Sequence, residues 1–265
     1  MKKISLDNII PIRAFGDNYI WLITNPEKTR GIVFDPGSAQ PVLSYLENNN
    51  IELCGICITH HHMDHTGGVS GLRSKYKVPV YGGAGDGIGG LTNPLKENDT
   101  IRFDEIDLSL RVIETPGHTR GHVVYYAEKT NPPLLFSGDA LFLAGCGRVF
   151  EGTFDGMYGS LLKLKKLPRE TLIFCAHEYT LSNLNFASAV EPGNKEILNR
   201  SKEVSQMVSN GRPSVPGSVE EDLATNPFLR CDIMDVKNAA QKHSGGTLNS
   251  ESAIFAVLRS WKDSF

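Results

Sequence analysis

The placement of eight histidines limits what this 265-residue chain can fold into. Four lie in residues 59–65, THHHMDH, as His60, His61, His62 and His65. Two lie in TPGHTRGH, as His118 and His122, and His177 lies in CAHEY. Only His243 stands alone, in the C-terminal part. Each of the three clusters follows a short apolar run that reads as a strand. Loops at strand ends are where open sheets present chemistry. The fold therefore has to present several strand ends together.

The spacing within the first cluster has a chemical reading. Side chains alternate in an extended loop, so His60 and His62 point the same way and can chelate one cation, while His61 points away. Asp64 and His65 are adjacent, and a turn there aims both at a second cation beside the first. Imidazole suits zinc or iron, and a carboxylate adds charge compensation. Further ligands must come from elsewhere, and His118 and His177 are available. Asp139, at a strand end in LLFSGDALF, is the candidate for an anionic bridge between two cations. His122 begins a strand and, like His61, reads as a supporting or packing group. His243 reads as a solvated helix residue.

Around these clusters, short apolar runs alternate with Gly and Pro as far as residue 174. Strands are expected at 9–13, 19–24, 31–35, 52–59, 78–82, 108–115, 123–127, 134–137 and 172–175. Helices are expected at 41–49, 68–76 and 157–167. That order suggests an α+β fold of two sheets with helices outside, an αββα sandwich. Later the texture changes. Residues 195–210, 232–242 and 250–263 read as helices, with a turn-rich connector, VPGSVEEDLATNPFLR, before the second. We divide the chain into a β-rich domain, 1–175, and a smaller, mostly helical domain, 176–265.

Composition excludes several classes. With 27 Lys+Arg against 30 Asp+Glu, the formal charge of −3 argues against a nucleic-acid binder. Apolar stretches break within about ten residues, half of what a membrane span needs. Asp7, Asn8 and Pro11 interrupt any signal-peptide core. The five cysteines are odd in number and scattered, which fits a reducing compartment and a cytoplasmic enzyme. Cys54 and Cys57 form a CxxC inside an expected strand, with the thiols expected on opposite faces. The glycine-rich YGGAGDGIGG lacks the Lys of a phosphate loop and reads as a flexible surface loop near the site.

The motifs THHHMDHTGG, TPGHTRGH, SGDALF and AHEY, in that order, resemble the metallo-β-lactamase superfamily. The resemblance implies two metals: His60, His62 and His118 holding the first, Asp64, His65 and His177 the second, and Asp139 bridging. FLAGCGRVFEGT, AHEYT, NPFLR and LRSWKDSF extend it over nearly the whole chain to the glyoxalase II, or hydroxyacylglutathione hydrolase, family. By that likeness Arg148, Tyr179, Arg259 and Lys262 contact glutathione. Phe150 stands where some members carry Tyr, which removes one hydroxyl. The charges also make chemical sense, because glutathione has two carboxylates and Arg binds carboxylates bidentately. Arg259 and Lys262, three apart, share a helical face.

The implied reaction is hydrolysis of S-(2-hydroxyacyl)glutathione, with S-D-lactoylglutathione giving glutathione and D-lactate, the second step of methylglyoxal detoxification. Two divalent metals, zinc first and iron or manganese as alternatives, lower the pKa of a shared water from 15.7 to about 7. Asp64 and Asp139 are expected to serve the chemistry as well as the metals. A thiolate leaves, and thiols have a pKa near 8.5, so no strong general acid is demanded. The partner is a small-molecule glutathione thioester, not nucleic acid or membrane, and the chain is expected to be a monomer. The rival reading is another member of the superfamily, such as a glutathione persulfide dioxygenase using one iron.

Overall fold

β-Branched and aromatic runs divided by Gly, Asn and Pro favour strands over helices in the first two thirds of the chain. The computed structural model describes residues 4–265 and arranges these runs in two six-stranded sheets. The first sheet has the order β1 (Ile9–Ala14), β2 (Asn18–Thr24), β3 (Arg30–Phe34), β4 (Glu52–Ile58), β5 (Val80–Gly83) and β6 (Asn93–Leu95). Its first three strands are antiparallel, and β3 to β6 run parallel. Helices α1 (Ala39–Asn48), α2 (Met63–Thr66) and α3 (Val69–Lys75) are interleaved with it.

The second sheet uses β7 (Thr100–Phe103), β8 (Leu108–Glu114), β9 (Val123–Ala127) and β10 (Leu134–Gly138) as an antiparallel ribbon. A small hairpin follows, β11 (Leu141–Phe142) and β12 (Gly145–Cys146), and then α4 (Phe154–Leu164). β13 (Leu172–Cys175) pairs parallel with β10, and β14 (Gly217–Ser218) closes the edge. Helices α5 (Thr180–Val190), α6 (Lys195–Ser209), α7 (Val219–Thr225), α8 (Met234–Ser244) and α9 (Glu251–Asp263) complete the chain. The result is the αββα sandwich with a helical C-terminal part.

β2 shows why its run is apolar throughout: it is buried on both faces. Tyr19, Trp21 and Ile23 join the core between the sheets, while Ile20 and Leu22 pack with Val42 and Leu46 of α1 and Leu72 of α3. Across the sandwich, Phe34 stacks on Phe136 at 4.0 Å and Trp21 meets Phe174 edge-on at 5.0 Å. Each fully buried ring of this kind contributes about 1.5–3 kcal/mol relative to exposure. The inner cluster continues through Met157 and Leu161 of α4 to Phe186, Phe255 and Leu258. The helical part therefore shares the core of the β-rich part. Among the described residues, no helix is long and apolar enough to cross a membrane.

All nine expected strands appear within two residues of their expected ends. The differences have physical reasons. α5 was not expected, because its buried face includes the polar Thr180 and Asn183 while Leu181 and Ala189 lie off that face. The turn-rich connector contains α7, opened by a capping box in which Ser218 accepts from Glu221 N and Glu221 accepts from Ser218 N. β6 was also missed; it is a three-residue edge strand containing Pro94. Cys54 and Cys57 do not face opposite sides. An extra residue in β4, opposite the step from Gly31 to Ile32, turns both toward the inner core, with Leu53 and Ile56 on the outer side. YGGAGDGIGG is not simply a surface loop: it starts within β5 and carries Asp86, which is buried.

Candidate metal centre

β4 delivers the first cluster to one edge of the sandwich. Thr59 caps it, donating from N and Oγ1 to the two oxygens of Asp35 at 2.7 and 2.8 Å. Beyond it, His60 Nε2 and His62 Nδ1 converge to 3.0 Å, and His118 Nε2 lies 3.1 Å from the same His62 nitrogen. The alternation expected for an extended loop is present, with His61 directed away to Asp86. A tetrahedral zinc with bonds of about 2.0–2.1 Å sets its ligand atoms about 3.3–3.4 Å apart. With the His60 and His118 nitrogens 3.0 and 3.1 Å from that of His62, and all three within 4.8 Å of one another, the group suits one such ion.

A second group lies alongside. The chain turns into α2 at Met63, which brings Asp64 and His65 round together. Asp64 Oδ2 is 3.5 Å from His65 Nε2 and 3.4 Å from His177 Nε2. Asp139 Oδ1 is 3.5 and 3.4 Å from the same two nitrogens, and its Oδ2 is 3.6 Å from His118 Nε2. One carboxylate thus faces both groups. Gly138 makes this approach possible: it has φ +49°, and a Cβ there would lie 2.3 Å from Thr59 Oγ1. His65 Nε2 and Asp139 Oδ1 are buried without a hydrogen-bond partner, a costly state that a shared cation would relieve. The donor set fits a two-metal site.

The outer nitrogens of these rings have partners that fix ring orientation. His177 Nδ1 is 2.9 Å from Asp17 Oδ1, His65 Nδ1 is 3.2 Å from Asp35 Oδ2, and His118 Nδ1 donates to the Arg148 carbonyl at 2.8 Å. Asn18 Nδ2 donates to Asp64 Oδ2 at 3.1 Å. The sequence reading missed Asp17, Asn18, Asp35 and Asp86. Only Asp35, a carboxylate at a strand end, carried a local signal. His61 lies between Asp86 and Glu151, at 3.2 and 3.1 Å. His122 is buried beside Thr115 Oγ1 at 2.9 Å, and its Nε2 accepts from Asp139 N at 3.3 Å. Exposed His243 stacks on Trp261 at 4.3 Å.

Electrostatics divide the site in two. Burial, reinforced by neighbouring imidazoles, drives His60 well below its ordinary pKa, and burial also lowers His62 and His118. These rings are neutral, with lone pairs to offer. Burial also opposes charge on His65 and His177, but the carboxylates outweigh it. Asp139 and Asp35 push His65 up to about 10, and Asp139 with Asp64 and Asp17 pushes His177 up to about 12. Hydrogen bonds from His177 and His65 hold Asp64 well below the carboxylate range. Asp139 is also lowered, because the same rings overcome its burial. The second group demands positive charge.

A cleft of about 510 Å³ runs from this centre, lined by His118 and Asp139 at one end and by Arg148, Tyr179, Arg259 and Lys262 further along. Tyr179 stacks on His177 with ring centroids 4.8 Å apart. Arg148 is exposed, and Lys262 Nζ donates to Ser182 O and Oγ, both at 3.2 Å. Arg259 is 4% exposed and donates from Nη1 to the Cys146 carbonyl at 2.6 Å. It is one of four residues from the helical part that hold the hairpin after Asp139. Asn183 donates to Leu143 O at 3.1 Å, Asp222 accepts from Ala144 N at 2.8 Å, and Asn226 donates to Gly145 O at 2.9 Å.

Residues 13–177 match the family model of the metallo-beta-lactamase superfamily, and residues 178–265 match that of the hydroxyacylglutathione hydrolase C-terminus. Relatives named hydroxyacylglutathione hydrolase match across almost the whole chain. One from Hahella chejuensis is 48% identical, covering 98% of this chain and 100% of its own. One from Pseudomonas savastanoi pv. phaseolicola is 49% identical, covering 95% and 97%. Among solved structures, ETHE1 from Myxococcus xanthus superposes with a TM-score of 0.66 at 21% identity, covering 96% of this chain and 90% of its own. TTHA1623 in a di-iron-bound form gives 0.58 at 22%, covering 83% and 100%. These two likenesses concern the fold.

Proposed function

The chain belongs to the hydroxyacylglutathione hydrolase family within the metallo-β-lactamase superfamily, and on that premise we propose how its residues divide the work. It is a thioester hydrolase that cleaves S-(2-hydroxyacyl)glutathione, with S-D-lactoylglutathione as the substrate and glutathione and D-lactate as products. The observation that carries this reading is the cleft joining a seven-ligand cluster to a cationic end. A persulfide dioxygenase is not favoured, since relatives named hydroxyacylglutathione hydrolase match nearly all of the chain.

In this reading His60, His62 and His118 would hold one divalent ion and Asp64, His65 and His177 the other, with Asp139 facing both groups. The ions would be zinc, with iron or manganese as alternatives, and when bound they would supply Lewis acidity toward a carbonyl and acidify water. Asp17, Asp35 and the Arg148 carbonyl keep the outer ring nitrogens protonated, so that the inner ones face the site as bases. Asn18 holds Asp64. Arg148, Tyr179, Arg259 and Lys262 bind the glutathione part and set the thioester at the other end of the cleft. The leaving thiolate needs no dedicated acid. Residues 1–175 together with His177 carry the chemistry, and 176–265 supply the binding helices, in a cytoplasmic monomer.

The test is release of free thiol from S-D-lactoylglutathione by the purified chain, before and after a chelator. We expect activity that the chelator abolishes and added zinc restores. Full activity in a preparation with no metal by elemental analysis would overturn the proposed division of labour.

A further inference from the structure

We propose that Asp263 is a built-in competitor for the substrate's carboxylates, a residue that sets affinity by occupying the anion site when the cleft is free. The proposal rests on the glutathione reading above. Asp263 is the last residue of α9. A carboxylate there sits at the negative end of the helix dipole, the less favourable terminus for an acid. Its surroundings compensate. Asp263 Oδ1 accepts from Arg259 Nη2 at 3.1 Å and lies 3.4 Å from Arg148 Nε. A single oxygen therefore joins two guanidinium groups from separate segments of the chain, and all three residues line the cleft.

A carboxylate arriving with the substrate needs the same N–H groups. Arg148 and Arg259 cannot both turn fully toward it while Asp263 holds them, because a guanidinium directs its donors in a fixed fork. Entry of the substrate therefore replaces one carboxylate with another. Displacement lowers the net gain on binding, for substrate and product alike. Glutathione keeps both carboxylates after the thioester is cleaved, so Asp263 favours its departure by re-forming the internal pair. The residue trades affinity for release and acts at the end of the cleft away from the bond that is broken.

Asp263→Asn tests this, since the amide keeps the size and one acceptor oxygen but loses the charge. The side chain is 38% exposed at a helix end, a position that tolerates substitution. Judged from the worth of exposed and charge-assisted pairs, KM for S-D-lactoylglutathione should fall about three- to tenfold. The inhibition constant of glutathione should fall by the same factor, with kcat no higher. Hydrolysis of an N-acetylcysteamine thioester, which lacks the carboxylates, should not respond. A raised KM would mean that Asp263 organises the arginines or binds the substrate's ammonium, and an unchanged KM would make it a bystander; either overturns the proposal. If the unaltered chain leaves S-D-lactoylglutathione intact, the functional reading fails instead. Calorimetry with glutarate, a plain dicarboxylate, then decides Asp263 separately: tighter binding to Asp263→Asn supports the competitor role, and equal or weaker binding ends it.

Discussion

Replacing Arg259 by alanine should injure more than substrate recognition. The guanidinium is buried, its Nη1 donates to the Cys146 carbonyl at 2.6 Å, and its Cζ lies 5.0 Å from the centroid of Phe228. Losing a hydrogen bond from a charged group costs about 1.5–3 kcal/mol. Losing the stem's packing and the contact with the ring adds about 1–2 kcal/mol. Arg259 Nε is buried without a partner, so removing it returns part of that sum. A net loss of about 2–4 kcal/mol remains. At about 2–4 °C per kcal/mol for a chain of this size, the melting temperature should drop by about 5–15 °C. Chemistry should suffer as well. Cys146 lies between Asp139 and Arg148, whose carbonyl supports His118. Freeing it should lower kcat about tenfold in addition to raising KM. Lys262→Ala is the control: its half-buried ammonium touches Ser182, not the hairpin, so KM alone should rise. Thermal melting and steady-state kinetics on both variants decide the matter. An Arg259→Ala protein that melts with the unaltered chain and differs only in KM would refute this reasoning.

Metal uptake should release protons. His65 and His177, pushed up to about 10 and 12, are protonated at pH 7.5, so loading the demetallated chain with zinc should release about two protons per chain. Calorimetry in buffers of different ionisation enthalpy measures this, and zero release contradicts the assignment of the second group. Affinity for the second ion should weaken as pH falls. His62→Ala should abolish activity and strip metal, whereas His61→Ala should keep its metal and lose about 10–100-fold in rate; equal metal loss by elemental analysis would show that the two roles were misassigned. Asp222 is pushed up to about 7 by burial, despite its bonds from Ala144 N and Asn226. Its folded pKa exceeds the unfolded value, so its contribution is intact below about pH 4 and is lost as pH rises through about 7. Denaturant titrations should show the unaltered chain losing up to about 4 kcal/mol relative to Asp222→Asn across that window; parallel curves would contradict the shift.

Much of the candidate metal centre was legible because its candidate ligands lie within a few residues of strand ends. His60, His62, Asp64 and His65 share one loop, and His118, Asp139 and His177 each follow an apolar run of their own. The partners behind them were not legible. Asp17 meets His177 across a separation of 160 residues, and such a pairing leaves no local pattern. The same limit hid the bulge in β4, which depends on register against β3, not on the residues of the CxxC. α5 escaped because its buried face carries Thr180 and Asn183 and its outer face Leu181 and Ala189, so the apolar residues do not mark one stripe. Arg259 and Lys262 were read as equivalent, three apart on one face. Both line the cleft, but packing makes Arg259 a buried anchor of the hairpin as well and leaves Lys262 a half-buried cation.

The hairpin held by Asn183, Asp222, Asn226 and Arg259 has a consequence for the order of events during synthesis. Its four contacts reach forward along the chain by 40, 78, 81 and 113 residues. A nascent chain owns all seven candidate ligands once His177 has emerged, yet the segment after Asp139 stays loose until Arg259 follows. At about 5–20 residues per second, that interval lasts about 4–16 seconds. During it, the hairpin after Asp139 lacks the side chains that hold its carbonyls and its Ala144 amide. A chain cut short before Arg259 would carry the seven candidate ligands while the Cys146 carbonyl lacked its buried guanidinium donor.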